Sequence, residues 1–282
     1  MRKIIVPVDF SGDSLKAFQK AANMAKTQSA EIHLLHVKKT RSFASIFSFK
    51  KDDDEVDVDK SFEEMLSNVK SSDVNIQTVT KSGSSVAKEI IKYAEAEDAY
   101  MIIMGTHGVS GFEEFWMGSN AYRVVSSAAC PVLSMRGSSD VIGVTKIVLP
   151  IDLSATTRQK VPFTLDLAKH FKAEVHVVAT CIDETDEFVM KLTSYSGQVA
   201  RFLTEKGIKV VTEFLKGDNV TTMTIEYAKT VDADLIAIMT EQETSMLNAF
   251  LGAYAQQMVN HSPIPVLSMH KNPSLEGNIS IM

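Results

Sequence analysis

Gly105, Gly108, Gly118 and Ser119 stand in the stretch "MGTHGVSGFEEFWMGSNAYRVV" (104–125) at the spacing G-x2-G-x9-G-S. Residues of these types suit holding an anion more than transforming one. Glycine has no Cβ, so backbone N–H groups can come close to a phosphate, and it tolerates positive φ. Ser119 and Asn120 sit at the entry to an amphipathic run. Both are preferred N-caps, and a helix N-terminus offers unpaired N–H donors and the positive end of its dipole. One loop thus supplies two anion-binding elements with a spacer between them. A capped helix after a flexible loop would use the same residues, and these alone leave both readings open.

Dedicated catalysis would require more. Phosphoryl transfer needs a positioned nucleophile or base and a carboxylate for magnesium. Asp9, Glu113 and Glu114 are the nearby carboxylates with a claim. No GxxxxGK[ST] loop and no kinase motif set occurs. The adenylate-forming signatures SGGxDS and HIGH are also missing, and "DFSGDS" is a poor match to the hydroxyl-rich phosphate loop of a flavodoxin. His107 has no partner at metal-ligand spacing and reads as a loop histidine, while Phe115 and Trp116 read as packing residues. Cys130 and Cys181 lie far apart without CxxC spacing, which predicts neither a disulfide framework nor a zinc site.

Short apolar runs alternate with longer amphipathic ones around this loop. "KIIVPV" is brief and β-branched, as a buried strand should be. "SLKAFQKAANMAK" sets Leu15, Phe18, Ala22 and Ala25 three and four apart, the face of a helix. The alternation continues with strands at "EIHLLHV", "VNIQTVT", "AYMIIM" and "PVLSM", and with helices over 60–71, 85–97 and 119–128. Strands and helices in alternation favour right-handed crossovers and a parallel sheet covered on both faces. In such sheets ligands bind beyond the carboxyl ends of the strands, where the strand order reverses. Gly105 opens its loop at such an end.

The chain also repeats itself. Residues 3–37 align with 146–180 at an offset of 143, pairing Lys3, Ile4, Pro7, Asp9, Ser11, Ala25, Lys26, Ala30, Glu31 and His33 with identical residues. Beyond that the offset is 134, so that Gly83 meets Gly217, Tyr93 meets Tyr227 and "PVLSM" meets "PVLSM". The difference between the offsets, 143 − 134 = 9, assigns about nine extra residues to the first half between 37 and 83. At 282 residues the chain suits two domains of common size. A net charge of −6 argues against a nucleic-acid binder. No apolar run approaches a membrane span, and the N-terminal apolar run stops at Asp9, too soon for a signal sequence, so a cytoplasmic protein is expected.

With these strands on either side, the glycine pattern resembles the ATP-binding signature of the universal stress protein family. "VPVDFS" (6–11) looks like that family's first strand and "PVLSM" like its last. The resemblance covers 1–136 and 146–270, as a tandem member. It implies two tandem doubly wound α/β domains, each an open five-stranded, mainly parallel sheet with helices on both faces, the adenine nucleotide alpha hydrolase-like fold. The domains would be 1–137, with an intact nucleotide motif, and 146–271, degenerate, joined by a linker at 138–145 and followed by a tail at 272–282.

The resemblance implies ATP as the ligand, with or without magnesium. Pro7, Val8 and Asp9 would lie beside the adenosine, and the backbone of Val37 would meet adenine. Met104, Gly105, Thr106 and Gly108 would pass along the ribose and phosphates, and Gly118, Ser119, Asn120 and Ala121 would cap the phosphates. The residues alone leave Asp9 a second role, as cap of the following helix, for which Ser11 is the better candidate. In the second half Gly105, Gly108 and Ser119 become Met239, Gln242 and Ala253, with Glu241 adding negative charge, and only Gly118 persists, as Gly252. That half is expected to hold no ATP and to serve as the partner in an intramolecular pseudo-dimer, with 131–135 set against 265–269. The function implied is an ATP-binding stress-response or signalling module, with slow hydrolysis or phosphotransfer as the alternative. Its partners would be the adenine nucleotide, an unidentified protein and a second copy of the chain. The extra segment 41–60 reads as a surface loop, with a lid or docking segment as the sharper alternative.

Overall fold

A computed structural model describes residues 1–40, 57–69, 74–106, 117–136, 143–154, 156–182, 185–240 and 252–271. The first half runs β1 (Lys3–Pro7), α1 (Gly12–Gln28), β2 (Glu31–Lys39), α2 (Val58–Ser67), β3 (Ile76–Gly83), α3 (Val86–Ala96), β4 (Met101–Gly105), α4 (Ser119–Ser127) and β5 (Val132–Met135). The second runs β6 (Lys146–Ile151), a 3-10 turn (Thr157–Lys160), α5 (Val161–Phe171), β7 (Glu174–Cys181), α6 (Asp186–Glu205), β8 (Val210–Lys216), α7 (Val220–Thr230), β9 (Leu235–Met239), α8 (Ala253–His261) and β10 (Val266–Met269).

Local chemistry explains the boundaries. Ser11 caps α1 by accepting from the Ser14 N–H, and Ser29 closes it in the left-handed conformation at φ 50°. Lys172 closes α5 in the same way at φ 54°, and Asp98 and Asp232 repeat a left-handed turn at 48° and 51°. The duplication therefore extends to the backbone. Helix α2 begins at Val58 because Asp57 caps it, two residues before the 60–71 predicted from periodicity, so 57–60 belong to this helix and not to the inserted loop. The rest of that insertion, 41–56, lies outside the described residues, as do 138–142 of the linker and the tail 272–282.

The strands form one ten-stranded sheet in the order β3-β2-β1-β4-β5-β10-β9-β6-β7-β8. Within each half all neighbours are parallel. At the centre β5 and β10 pair antiparallel, with Leu133 opposite Leu267, so the two expected five-stranded sheets fuse at their last strands. Alternation along the buried strands feeds two apolar layers. Ile4 and Val6 face α1 and α2, in a layer continued by Val161 of α5 and Val199 of α6. Ile5 faces α3 and α4, in a layer continued by Ile225 of α7 and Met258 of α8. Among the described residues no helix is long and apolar enough to cross a membrane.

Polar groups tie the halves together around this seam. Asp166 of α5 accepts from Arg2 at 2.7 Å and from the Tyr100 hydroxyl at 2.6 Å, while the Arg2 guanidinium lies 4.5 Å from the Tyr100 ring centre. On the opposite layer His270 donates through Nε2 to the Val125 carbonyl at 2.8 Å, and the Met117 N–H donates to Asn260 at 3.0 Å.

Among the described residues two lysines are buried. Lys20, 2% exposed, donates from Nζ to the Gly143 carbonyl at 2.6 Å, and Lys160, 4% exposed, donates to the Thr157 hydroxyl at 3.0 Å. Burial pushes both ammonium groups down to about 8, against the pull of Asp234 on the first and Asp152 on the second. The unfolded chain keeps these protons up to the ordinary value of 10.5. Between those limits the unfolded state binds more protons, so stability rises with pH. At pH 7 both states are charged, and the folded one bears a net cost of about 3 kcal/mol per lysine, desolvation less the pull of the nearby carboxylate. Lys160→Met should therefore stabilise the protein at pH 7 by about 1–3 kcal/mol. The advantage should shrink towards zero as pH approaches 10.5, read from urea unfolding of both proteins across that range.

Candidate functional site

The strand order turns back at β1, which has β2 on one side and β4 on the other. Beyond the carboxyl ends of these strands lies a cleft of about 260 Å³, near the lower end of the roughly 300–1,000 Å³ usual for small-molecule sites. The end of β1 contributes Pro7, Val8 and Asp9; the end of β2, Val37; the end of β4, Met104, Gly105 and Thr106; and the start of α4, Gly118, Ser119, Asn120 and Ala121. Eleven of the twelve expected site residues thus line one space. Gly108 lies outside the described residues, with His107, Glu113, Glu114, Phe115 and Trp116.

Two expectations about the backbone need correction. Gly118, and not Ser119 or Asn120, is the N-cap of α4, and among the described residues no side chain caps that helix. Ser119 and Asn120 fall inside its first turn and are exposed, so the turn keeps its N–H groups for whatever enters the cleft. Gly118 itself donates to the Thr106 carbonyl at 2.8 Å, which pins the start of α4 to the end of β4. Nor do Gly105 and Gly118 adopt positive φ. Gly105 is needed because α1 passes so close that a Cβ would sit 2.9 Å from Asp13 Cβ and 3.1 Å from its carbonyl carbon. The second half supports this reason. Met239 has a Cβ at that place, and there the first turn is the 3-10 turn at Thr157–Lys160, with α5 starting only at Val161.

Asp9 is exposed and spends Oδ1 on Ser11, accepting from its N–H at 3.1 Å and its hydroxyl at 2.5 Å. Asp152 makes the same turn with Ser154, at 2.8 and 2.6 Å. This oxygen therefore shapes the exit from the first strand in both halves, while Ser11 does the capping.

The structure also adds residues that the sequence reading missed. Leu35, His36, Val86, Ile90 and Ser14 complete the lining. The first, third and fourth make an apolar wall with Val37 and Met104. His36 lies with Nδ1 2.9 Å from the Val8 carbonyl, which can only accept, so Nδ1 carries the hydrogen and Nε2 of the neutral ring is an acceptor. Its ring packs 4.7 Å from that of Phe10, which is held left-handed at φ 64° and meets Phe62 of α2 edge-on at 5.3 Å. Left-handed backbone is uncommon for a bulky side chain, and the two ring contacts hold it there. The signal for His36 was its place next to Val37 at the end of β2.

Substituting Gly105 by Ala should cost about 1–3 kcal/mol, because the nearest atoms, Asp13 Cβ and the Asp13 backbone carbonyl, are fixed by α1 and cannot swing aside. Gly118→Ala meets one carbonyl oxygen at 3.3 Å and should cost less than half as much. Urea unfolding of the two variants measures both, and the reverse order would refute the packing account of Gly105.

Comparison with known proteins agrees with this architecture. A model of the universal stress protein family matches residues 1–136 and again 143–270. Over 146 residues, 48% of this chain and 98% of the relative, the sequence is 32% identical to universal stress protein YxiE of Bacillus subtilis. It is 34% identical over 147 residues to a universal stress protein of Methanocaldococcus jannaschii, covering 82% of that protein. The fold matches the crystal structure of a universal stress protein from Archaeoglobus fulgidus with a TM-score of 0.73 at 18% identity, over 96% of this chain and 98% of that one. A functionally unknown protein of Pseudomonas aeruginosa matches at 0.67 and 19% identity, over 98% and 96%. With the family matched in both halves and the fold matched along nearly the whole chain, this protein belongs to the universal stress protein family, as a tandem of two such domains.

Proposed function

We propose that the N-terminal half holds one ATP in the cleft above β1 and β4, and that the protein acts in the cytoplasm as a stress-response module whose contacts with a protein partner follow that occupancy. The observation that carries this reading is the uncapped first turn of α4 opening into the same cleft as an apolar wall. Leu35, Val37, Val86, Ile90 and Met104 suit the faces of a heterocycle, and His36 Nε2 can accept a hydrogen bond at its edge. The N–H groups of Ser119, Asn120 and Ala121 suit phosphate oxygens, helped by the helix dipole. Gly108 belongs to the same signature and would add a further close backbone approach. When bound, ATP would supply the charge and bulk to which these groups respond.

Binding without rapid turnover fits this lining better than an ATPase or phosphotransferase does. Among the described lining residues Asp9 is the one carboxylate, and its Oδ1 is engaged in a turn that the second half repeats. Backbone donors that hold ground and transition states alike lower KM without raising kcat. Protein with magnesium and ATP should release phosphate far below the roughly 1–100 per second of kinases.

Calorimetric titration should give one ATP per chain. Ser119→Glu separates binding from folding, because a carboxylate in the first turn of α4 favours the helix yet repels phosphate. At about 100 times Kd the wild type should gain about 2.7 kcal/mol of stability and the variant none. Equal gains in the two proteins, or no ATP uptake by the wild type, would refute the assignment.

A further inference from the structure

The duplication allows the first cleft to serve as a ruler for the second. Asn120 on α4, Ile90 on α3 and Asp9 after β1 stand around the open cleft of the first half. Their counterparts, at offsets of 134, 134 and 143, are Tyr254 on α8, Thr224 on α7 and Asp152 after β6. Tyr254 is the second residue of its helix, as Asn120 is of α4. Its ring packs against the apolar layer that contains Val178, Ile225 and Ile238. Its hydroxyl oxygen is shielded from solvent, beside Thr224 and within reach of the charge of Asp152. One side chain therefore starts at the place of Asn120 and ends between the places of Ile90 and Asp9. Those are the walls that an open space separates in the first half.

Two further replacements put larger side chains near the same strand ends, on the other face of the sheet. Lys160, where the first half has Ala17, lies buried on the Thr157 hydroxyl, which is the counterpart of the lining residue Ser14. Met239 brings a buried side chain to the place of Gly105.

We infer that Tyr254 is the resident occupant of the C-terminal cleft, its phenol ring filling the space that is open for a ligand in the N-terminal half. This holds whatever the first cleft binds. The second half is then fixed in a filled state, and ligand-dependent change is confined to the first.

Cavity rescue without nucleotide tests the idea. Tyr254→Ala, and Tyr254→Asn with the residue the first half uses, should lower the melting temperature by roughly 5–20 °C. About 10 mM phenol should restore several degrees, as an apolar cavity takes up a small aromatic. Wild type and Tyr254→Phe should melt alike and show no rise with phenol. Melting of the Ala and Asn variants at the wild-type temperature, or an equal phenol response in the wild type, would overturn the inference. So would a Phe variant that melts as low as the Ala variant. Should neither truncated variant fold, tetranitromethane treatment of the wild type decides. Tyr254 should remain unmodified in native protein and react in urea, and nitration in the native state would overturn the assignment.

Discussion

The antiparallel pairing of β5 with β10 joins the two halves into one sheet, and the packing on both faces follows from it. A parallel five-stranded sheet covered by helices on both faces still has two open edges, and an open edge invites pairing with another chain. Here the two strands that would be edges satisfy each other within one polypeptide, and Leu133 and Leu267 meet at the middle of the seam. Both apolar layers then run across the junction, so α1 packs in the same layer as α5 and α3 in the same layer as α7. The free edges of the fused sheet are β3 and β8, far from the centre.

Burial on both faces drives polar chemistry to the ends of the strands. Each strand interior is apolar, and backbone donors become available only where a strand stops and a loop or helix begins. The cleft lies at such a place, and its character comes from two close approaches. Helix α1 runs so near β4 that only glycine fits at 105, and α4 is pinned to β4 by the bond from Gly118 to Thr106. Together they bring the open first turn of α4 over the apolar wall from β2, β4 and α3.

The two halves show how one scaffold supports an open site and a filled one. Backbone features repeat closely, from the left-handed Ser29 and Lys172 to the Asp–Ser turns after β1 and β6. Side chains decide the difference. Gly105 gives way to Met239, Ala17 to Lys160 and Asn120 to Tyr254, and each change puts a larger side chain in the second half. The buried ammonium of Lys160 is tolerable because the Thr157 hydroxyl and the charge of Asp152 offset part of its lost hydration.

The duplication and the alternation of strands with helices were legible in the residues alone, and the pairing of the last strands followed from the family resemblance. These rest on local patterning: a brief β-branched run such as "KIIVPV" fits a buried strand, and the threes and fours of α1 fit a helix face. The sequence also brought together most of the residues that line the cleft, because strand ends and a helix start are local features. Long-range packing fixed the remainder. Nothing near Gly105 in sequence announces that Asp13 will lie against it, and nothing near His36 announces the carbonyl of Val8 or the ring of Phe10. Ser119 looked like a cap, yet the bond that fixes Gly118 to Thr106 moved the cap one residue earlier. Nothing near Tyr254 or Lys160 in sequence announces that the first will pack on the layer of α7 or that the second will be buried on the Thr157 hydroxyl near Asp152. Contacts between residues distant in the chain settle such matters, and one sequence encodes them only through the packed whole.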